Sequence, residues 1–437
     1  MVVKALYKTM RHFFPCFPGW VGSIDDPRQR GKIIYPMANL IHVAALMFLL
    51  KIESMRQIKY LFNTEQFVKH LNLLTEGNVD RMAHPDTVGN ILKRIDPDEL
   101  SGVRTKMIRR LIRMKCFADY RLLGSYYLVC VDGTGHLAYR HRHCPHCLTQ
   151  KKGGKVIYYY HPVLEVKLVT GNGLALSIGT EFLENPGVGE STQDCELSAF
   201  YRLRERLKRD FPQLKICLLL DSLYAAGPVF DICEEYGWKY ICTFKEGSMP
   251  ETYREYVSLM GLQTENTGEA RKGDVLQKYN WVTDIEYQGH CLNVLECNES
   301  KPGEGGVMTN TRFVWVTNLK VDEYNYREVA NKGGRLRWKI ENEGFNMQKT
   351  GGYNLEHPYS HDEIVSKNLY LILQIAHIIS QLIEKGSLLK DQVNRVFGGI
   401  RNVSRRLLEE LRTVFPDPER LQMELEVPFQ IRFLDSS

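Results

Sequence analysis

The 437-residue chain lacks an apolar run long enough to cross a bilayer. The longest, around Met37 to Leu50, contains Asn39 and His42 and falls short of the roughly 20 residues a spanning helix needs. No membrane role is expected. Its first residues, MVVKALYKTMRHFFPCFPGW, mix charge into apolar positions and have neither an h-region nor a small-residue cleavage site. The eleven cysteines form no even framework, in a chain far too long to need stapling, so they are expected to be mostly buried thiols in a reducing cytoplasm. Low-complexity tracts are missing too, which excludes a largely disordered chain. Nor is there a strong charge of either sign: the net charge is +5, mild evidence for a polyanionic partner and far from a histone-like balance.

What is present is the composition of a globular protein, 43% hydrophobic and 25% charged, with length for two or three domains. The first 120 or so positions read as helical. Pro36 to Phe67 suggests a buried helix followed by a surface one, and His84-Pro85-Asp86-Thr87 a turn with Asp86 or Thr87 capping the next helix. The run ELSGVRTKMIRRLIRMK is an amphipathic basic helix whose polar side carries Arg109 and Arg110. That side is either a solvated face or one that contacts phosphates.

From Tyr126 the pattern turns strand-like. YYLVCV ends at Asp132-Gly133-Thr134-Gly135. Lys155–Thr170 and Gly173–Phe182 are joined by a Gly-Asn-Gly turn, a helix spans Asp194–Asp210, and LKICLLL stops at Asp221. A helix from about Ala225 to Tyr236 and a strand, Lys239–Phe244, follow. Three meandering strands and then strand-helix crossovers predict an α/β fold, a mixed sheet with helices on its faces. Ligands gather at strand ends in such sheets, and Asp132 and Asp221 both sit there.

A third acid lies in RLRWKIENEGFNMQKTGG, Arg335 to Gly352. At helical spacing Arg337 and Glu341 share a face, continued by Phe345 and Lys349, while Glu343 points elsewhere. Alone this would read as a solvated salt-bridge helix. Brought together, Asp132, Asp221 and Glu341 would make an all-carboxylate cluster suited to a hard cation, Mg²⁺ or Mn²⁺, and to two-metal phosphoryl transfer on nucleic acid.

The set VDGTG, LLLDSLYA and RWKIENEGF resembles the DDE transposases of bacterial insertion sequences, specifically the insertion-sequence-four-like group, over roughly Tyr126 to Pro358. The resemblance implies a ribonuclease-H-like catalytic fold, a metal-binding triad of Asp132, Asp221 and Glu341, and cleavage at transposon ends followed by strand transfer. It implies DNA partners, the terminal inverted repeats and the target, bound by a homodimer in the cytoplasm in association with the nucleoid. In the group's signature, Tyr-x2-Arg-x3-Glu-x6-Lys, Arg337 and Glu341 fit. Gly334 stands at the tyrosine position and Gln348 at the lysine position, so the lysine's role passes to Lys349. Arg337 and Lys349 would contact phosphates. The group also implies a β-rich insertion between the second and third acids, from which Phe313 or Trp315 could stack on a displaced base. The alternative for both rings is the core of a small sheet.

Outside the triad, His141-Arg142-His143-Cys144-Pro145-His146-Cys147 contains a CxxC. Cys144 and Cys147 supply half of a structural Zn²⁺ site, with the remaining ligands from His141, His143 or His146, or from Cys291 and Cys297 across space. Plain thiols or a basic substrate-facing loop is the alternative. Further bases recur at Arg202, Arg204, Arg206, Lys208 and Arg209 and at Arg401, Arg405 and Arg406, and would track phosphates if they share a face. The expected division is a helical DNA-binding region (1–120), a catalytic domain in two parts (121–248 and 321–400), the β-rich insertion (249–320) and a tail (401–437). Two rival functions stay open: a ribonuclease-H-like nuclease or resolvase without strand transfer, and a non-catalytic, zinc-containing DNA-binding protein.

Overall fold

The period-two runs of β-branched and aromatic residues become ten strands in a computed structural model that describes residues 2–185, 193–303 and 307–433. Residues 304–306 of the expected β-rich insertion and the last four residues of the expected tail lie outside the described residues. The strands are β1 (Tyr127–Tyr139), β2 (Leu148–Lys152), β3 (Lys155–Val169), β4 (Ala175–Phe182), β5 (Ile216–Leu220), β6 (Lys239–Thr243), β7 (Thr267–Lys272), β8 (Val275–Tyr287), β9 (His290–Pro302) and β10 (Met308–Thr317). They form one sheet in the order β2-β3-β1-β5-β6-β10-β9-β8-β7, with β4 also paired to β3. β1 runs parallel to β5 and β5 to β6, and the other pairs are antiparallel. Parallel neighbours need long crossovers. The helices Glu196–Asp210 and Gly227–Tyr236 supply them.

Side chains alternate across β1 and β5, so the sheet feeds two cores. Val129, Val131, Leu218 and Leu220 join a large cluster with the helices. Leu128, Cys130, Cys217 and Leu219 face the other way, against Ile340 and Phe345. The strands expected between the second and third acids do form. They do not stand apart as a separate sheet: β10 pairs with β6, from Trp315 opposite Thr243 to Thr317 opposite Ile241, and the central sheet continues outward through β7. An unpaired edge at β6 would otherwise leave backbone donors and acceptors bare.

The helical N-terminal region forms as expected. Every residue of Met37–Leu49 is buried, whereas only Ile58 of Met55–Leu61 is. Its apolar residues belong to the same cluster as the sheet and the C-terminal helices, so no break in the core marks residue 120. The Val3 amide donates to Glu410 Oε2 at 2.9 Å, tying the first helix to Ile400–Thr413. The helix after the His-Pro-Asp-Thr turn starts two or three residues earlier than expected. Pro85 takes its first turn and His84 Nδ1 accepts from the Asp86 amide at 3.3 Å, which moves the cap from Asp86 or Thr87 to His84. Among the described residues no helix is long and apolar enough to cross a membrane.

A polar seam runs through the core beneath β3. Glu165, fully buried, accepts from Ser177, from Thr180 at 2.8 Å and from Tyr370 at 2.9 Å, while Arg104 donates to the same Ser177 and Thr180 hydroxyls. Lys167 donates to Gln374 at 2.8 Å, and burial lowers its pKa to about 8. Each charged side chain in this seam makes at least one hydrogen bond, which lowers the cost of burying it.

Candidate active site

Strand register brings the two aspartates together. Leu128 pairs with Cys217 and Cys130 with Leu219 on the parallel strands β1 and β5. Two residues further along each, on the same face, stand Asp132 and Asp221. Asp221 follows the last residue of β5, and its carboxylate accepts from the Leu223 amide at 2.8 Å, opening a short helical turn. Asp132 Oδ1 accepts from the Gly133 amide at 3.0 Å.

Glu341 arrives from above this face. The segment from Tyr326 to Thr350 is helical but not the regular α-helix that the spacing suggests: wide π-type turns at Val329–Gly333 and Ile340–Asn346 flank a tight one at Gly334–Trp338. Close approach requires glycine here. A Cβ on Gly333 would lie 2.5 Å from Ile241 Cδ1, and one on Gly334 2.5 Å from Trp315 Cε2. Arg337 Nη1 reaches Asp132 Oδ2 at 3.5 Å, and Glu341 is near enough for its charge to bear on Asp132. Glu343 does point elsewhere, to Lys339.

Burial, opposed by the Arg337 guanidinium and reinforced by the charges of Asp221 and Glu341, raises the Asp132 pKa from its ordinary 3.8 to about 6. A fourth acid, unforeseen from sequence, shares the field. Glu196 opens the helix Glu196–Asp210, and burial followed by the charges of Asp132 and Asp221 pushes its carboxyl up to about 7. A Cβ on Gly133 would fall 2.1 Å from Glu196 Oε1, so the glycine after Asp132 leaves room for this carboxylate. The available signal was the crossover itself, whose helix begins beside the strand ends.

The other residues singled out from sequence separate. Lys349 pairs with Glu356 at 3.3 Å. Gln348 is fully buried, bonded to Gln374 at 2.8 Å and His377 at 2.9 Å, and so fixes the acid-bearing segment to the polar seam rather than facing phosphate. Trp315 is also a core residue, packed on Gly334 and stacked on Phe313. The Phe313 ring is partly buried and faces the Arg335 guanidinium, 4.7 Å away. An exposed aromatic on the segment that carries Arg337 and Glu341 is Trp338, 55% accessible, with Arg337 over its ring at 4.3 Å.

Arg109 donates to the Asp210 carbonyl at 2.7 Å and Arg110 to the Phe13 carbonyl, so both guanidinium groups are engaged in helix packing. Arg202 and Arg206 both bind Glu181, which ties much of that basic run to acids of its own chain. Cys291 and Cys297, offered as zinc ligands, lie on β9 in the outer half of the sheet. Cys144 and Cys147 meet His161 instead.

No family model matches the chain. Comparison with curated proteins yields no significant match.

Proposed function

We propose that this protein is a DNA transposase of the DDE type, with a ribonuclease-H-like core, that cuts transposon ends and joins them to target DNA. The strand order β4-β3-β1-β5-β6, three antiparallel strands followed by two parallel ones, supports the core assignment. The observation that carries the reading is the register that sets Asp132 beside Asp221 with Arg337 and Glu341 above them.

The donor set fits a hard divalent cation. It is all carboxylate, and Asp132, Asp221 and Glu341 share one field with a single guanidinium, Arg337. Asp132, Asp221 and Glu341 would hold Mg²⁺ or Mn²⁺, which supplies a Lewis acid for an in-line displacement at phosphorus. Arg337, drawn to Asp132 by only a long contact, is placed to bind a phosphate oxygen as DNA enters. Glu196, near half-protonation at neutral pH, can hold a proton at its carboxyl oxygen and lose it as positive charge accumulates. Trp338 offers a ring face to a base displaced at the cleavage point, the part that Phe313 or Trp315 was expected to play.

Asp221→Asn tests the reading. End binding should survive while Mg²⁺-dependent cleavage disappears, and retained cleavage would sink it. An assay with a donor end and a target plasmid separates a transposase from a ribonuclease-H-like nuclease, which would leave no joined product.

A further inference from the structure

The hairpin of β2 and β3 folds the cysteine loop onto the middle of β3. Leu148 pairs with Tyr160, so the next antiparallel position sets Cys147 beside His161. Cys144 Sγ and Cys147 Sγ are 3.6 Å apart, and His161 Nε2 lies 3.4 Å from the first and 3.2 Å from the second. A tetrahedral zinc with bonds of about 2.3 Å to sulfur and 2.05 Å to nitrogen requires about 3.8 Å between sulfurs and about 3.6 Å from sulfur to nitrogen. The three atoms therefore stand within a few tenths of an ångström of a metal-ready triangle. A disulfide is a different geometry, with sulfurs about 2.05 Å apart.

The surroundings hold the ligands in place. The Cys144 amide donates to Cys147 Sγ at 3.4 Å, an outer contact of the kind that orients a ligating sulfur. Asn185 clasps the loop: its side chain donates to the Cys147 carbonyl at 2.9 Å, and its amide donates to the His146 carbonyl at 3.1 Å. Two of the loop's three histidines are already engaged, His143 with the His361 carbonyl and His146 with the Asn185 carbonyl, both at 2.8 Å. Beside the triangle lies a cavity of about 300 Å³, lined in part by Tyr139, His143, Cys144, His161 and Glu363.

We infer that Cys144, Cys147 and His161 form a zinc site with two sulfurs and one nitrogen, its fourth position open to solvent in this cavity. The site sits at the root of the β2–β3 hairpin, whose outer part carries exposed Lys151, Lys152 and Lys155 beside exposed Val156, Ile157 and Tyr158. The zinc would fix the direction in which this basic arm leaves the sheet. The inference is independent of the acids, since it uses none of them.

Full-length protein, incubated with zinc and desalted, should carry one zinc per chain by elemental analysis. Cobalt in its place should give the intense thiolate charge-transfer absorption of a tetrahedral site. Cys144→Ser, Cys147→Ser and His161→Ala should each lower retained zinc at least tenfold while circular dichroism stays native, and His161→Cys should restore it. Chelation should speed tryptic cleavage at Lys151 and Lys152. A wild-type chain that retains no zinc, or folded Cys144→Ser and His161→Ala variants that retain all of it, would overturn the inference.

Discussion

Replacing Asp132 with asparagine should make the cation-free protein more stable, although Asp132 is the residue most central to the proposed chemistry. Its carboxyl is held about two pKa units above the ordinary value, by burial first and then by Asp221 and Glu341 against the opposing Arg337. At about 1.4 kcal/mol per unit, ionised Asp132 costs the folded state roughly 3 kcal/mol above its folded pKa. Asparagine keeps the shape and the acceptor for the Gly133 amide and removes the charge. Unfolding a chain of 437 residues carries an entropy of about 0.9 kcal/mol/K at roughly 2.1 cal/mol/K per residue, so Tm should rise about 3 °C near neutral pH. The sign fixes the pH window. Between 3.8 and about 6 the folded state binds more protons than the unfolded one, so wild-type stability falls as pH rises through that range. The advantage of Asp132→Asn should be absent below about pH 4 and complete above about pH 7. Thermal unfolding in EDTA across this range measures it, with Mg²⁺ added in a second series. Mg²⁺ should stabilise the wild type and leave the variant almost unchanged. A variant no more stable than wild type at any pH, in a protein indifferent to Mg²⁺, would refute the clustering of these carboxylates.

Three further outcomes follow from packing and charge. Glu196→Gln should stabilise the cation-free chain at pH 8 and not at pH 4, because the carboxyl, pushed from 4.5 up to about 7 in the folded state, has its penalty only above the unfolded value; a pH-independent difference in Tm would contradict its placement. Gly334→Ala should cost about 1–3 kcal/mol in denaturant unfolding, since the added methyl meets the buried Trp315 ring, and an unchanged midpoint would show that the ring is free to move. Trp338→Ala should weaken binding to a cleaved transposon end by about 1–3 kcal/mol with little loss of stability, whereas Trp315→Ala should cost about 3–5 kcal/mol of stability; the reverse pattern would return the base-stacking role to Trp315.

Much of the fold was legible because the strands declare themselves locally. YYLVCV and LKICLLL are runs whose ends are visible as abrupt aspartates, and the Gly-Asn-Gly turn marks the β3–β4 hairpin. Residues whose position depends on pairing between distant segments were not legible. Glu196 looks like any acid in the first turn of a helix, and only the crossover places it over Gly133. His161 looks like a strand residue among tyrosines until β2 folds back and sets Cys147 beside it. Charge was ambiguous for a related reason: Arg109 and Arg110 read either as a solvated face or as phosphate contacts, and Arg202 and Arg206 as phosphate-tracking if they share a face, while the fold gives each of them a carbonyl or acid partner elsewhere in the chain. The regular helix expected from Arg335 to Gly352 is instead a tight turn and a wide one, entered just after two glycines, Gly333 and Gly334, that admit Ile241 and Trp315, a contact no local periodicity reveals.

The packing of Trp315 on Gly334 makes two distant positions a single unit of exchange. A tyrosine at 334 would require the indole to leave, so Gly334→Tyr should be tolerated only together with a small residue at 315. Any graft of the outer strands from another chain must carry both positions or neither. Because the indole sits on the backbone of the segment that presents Arg337 and Glu341, a partner that bends β10 would also re-aim those two side chains.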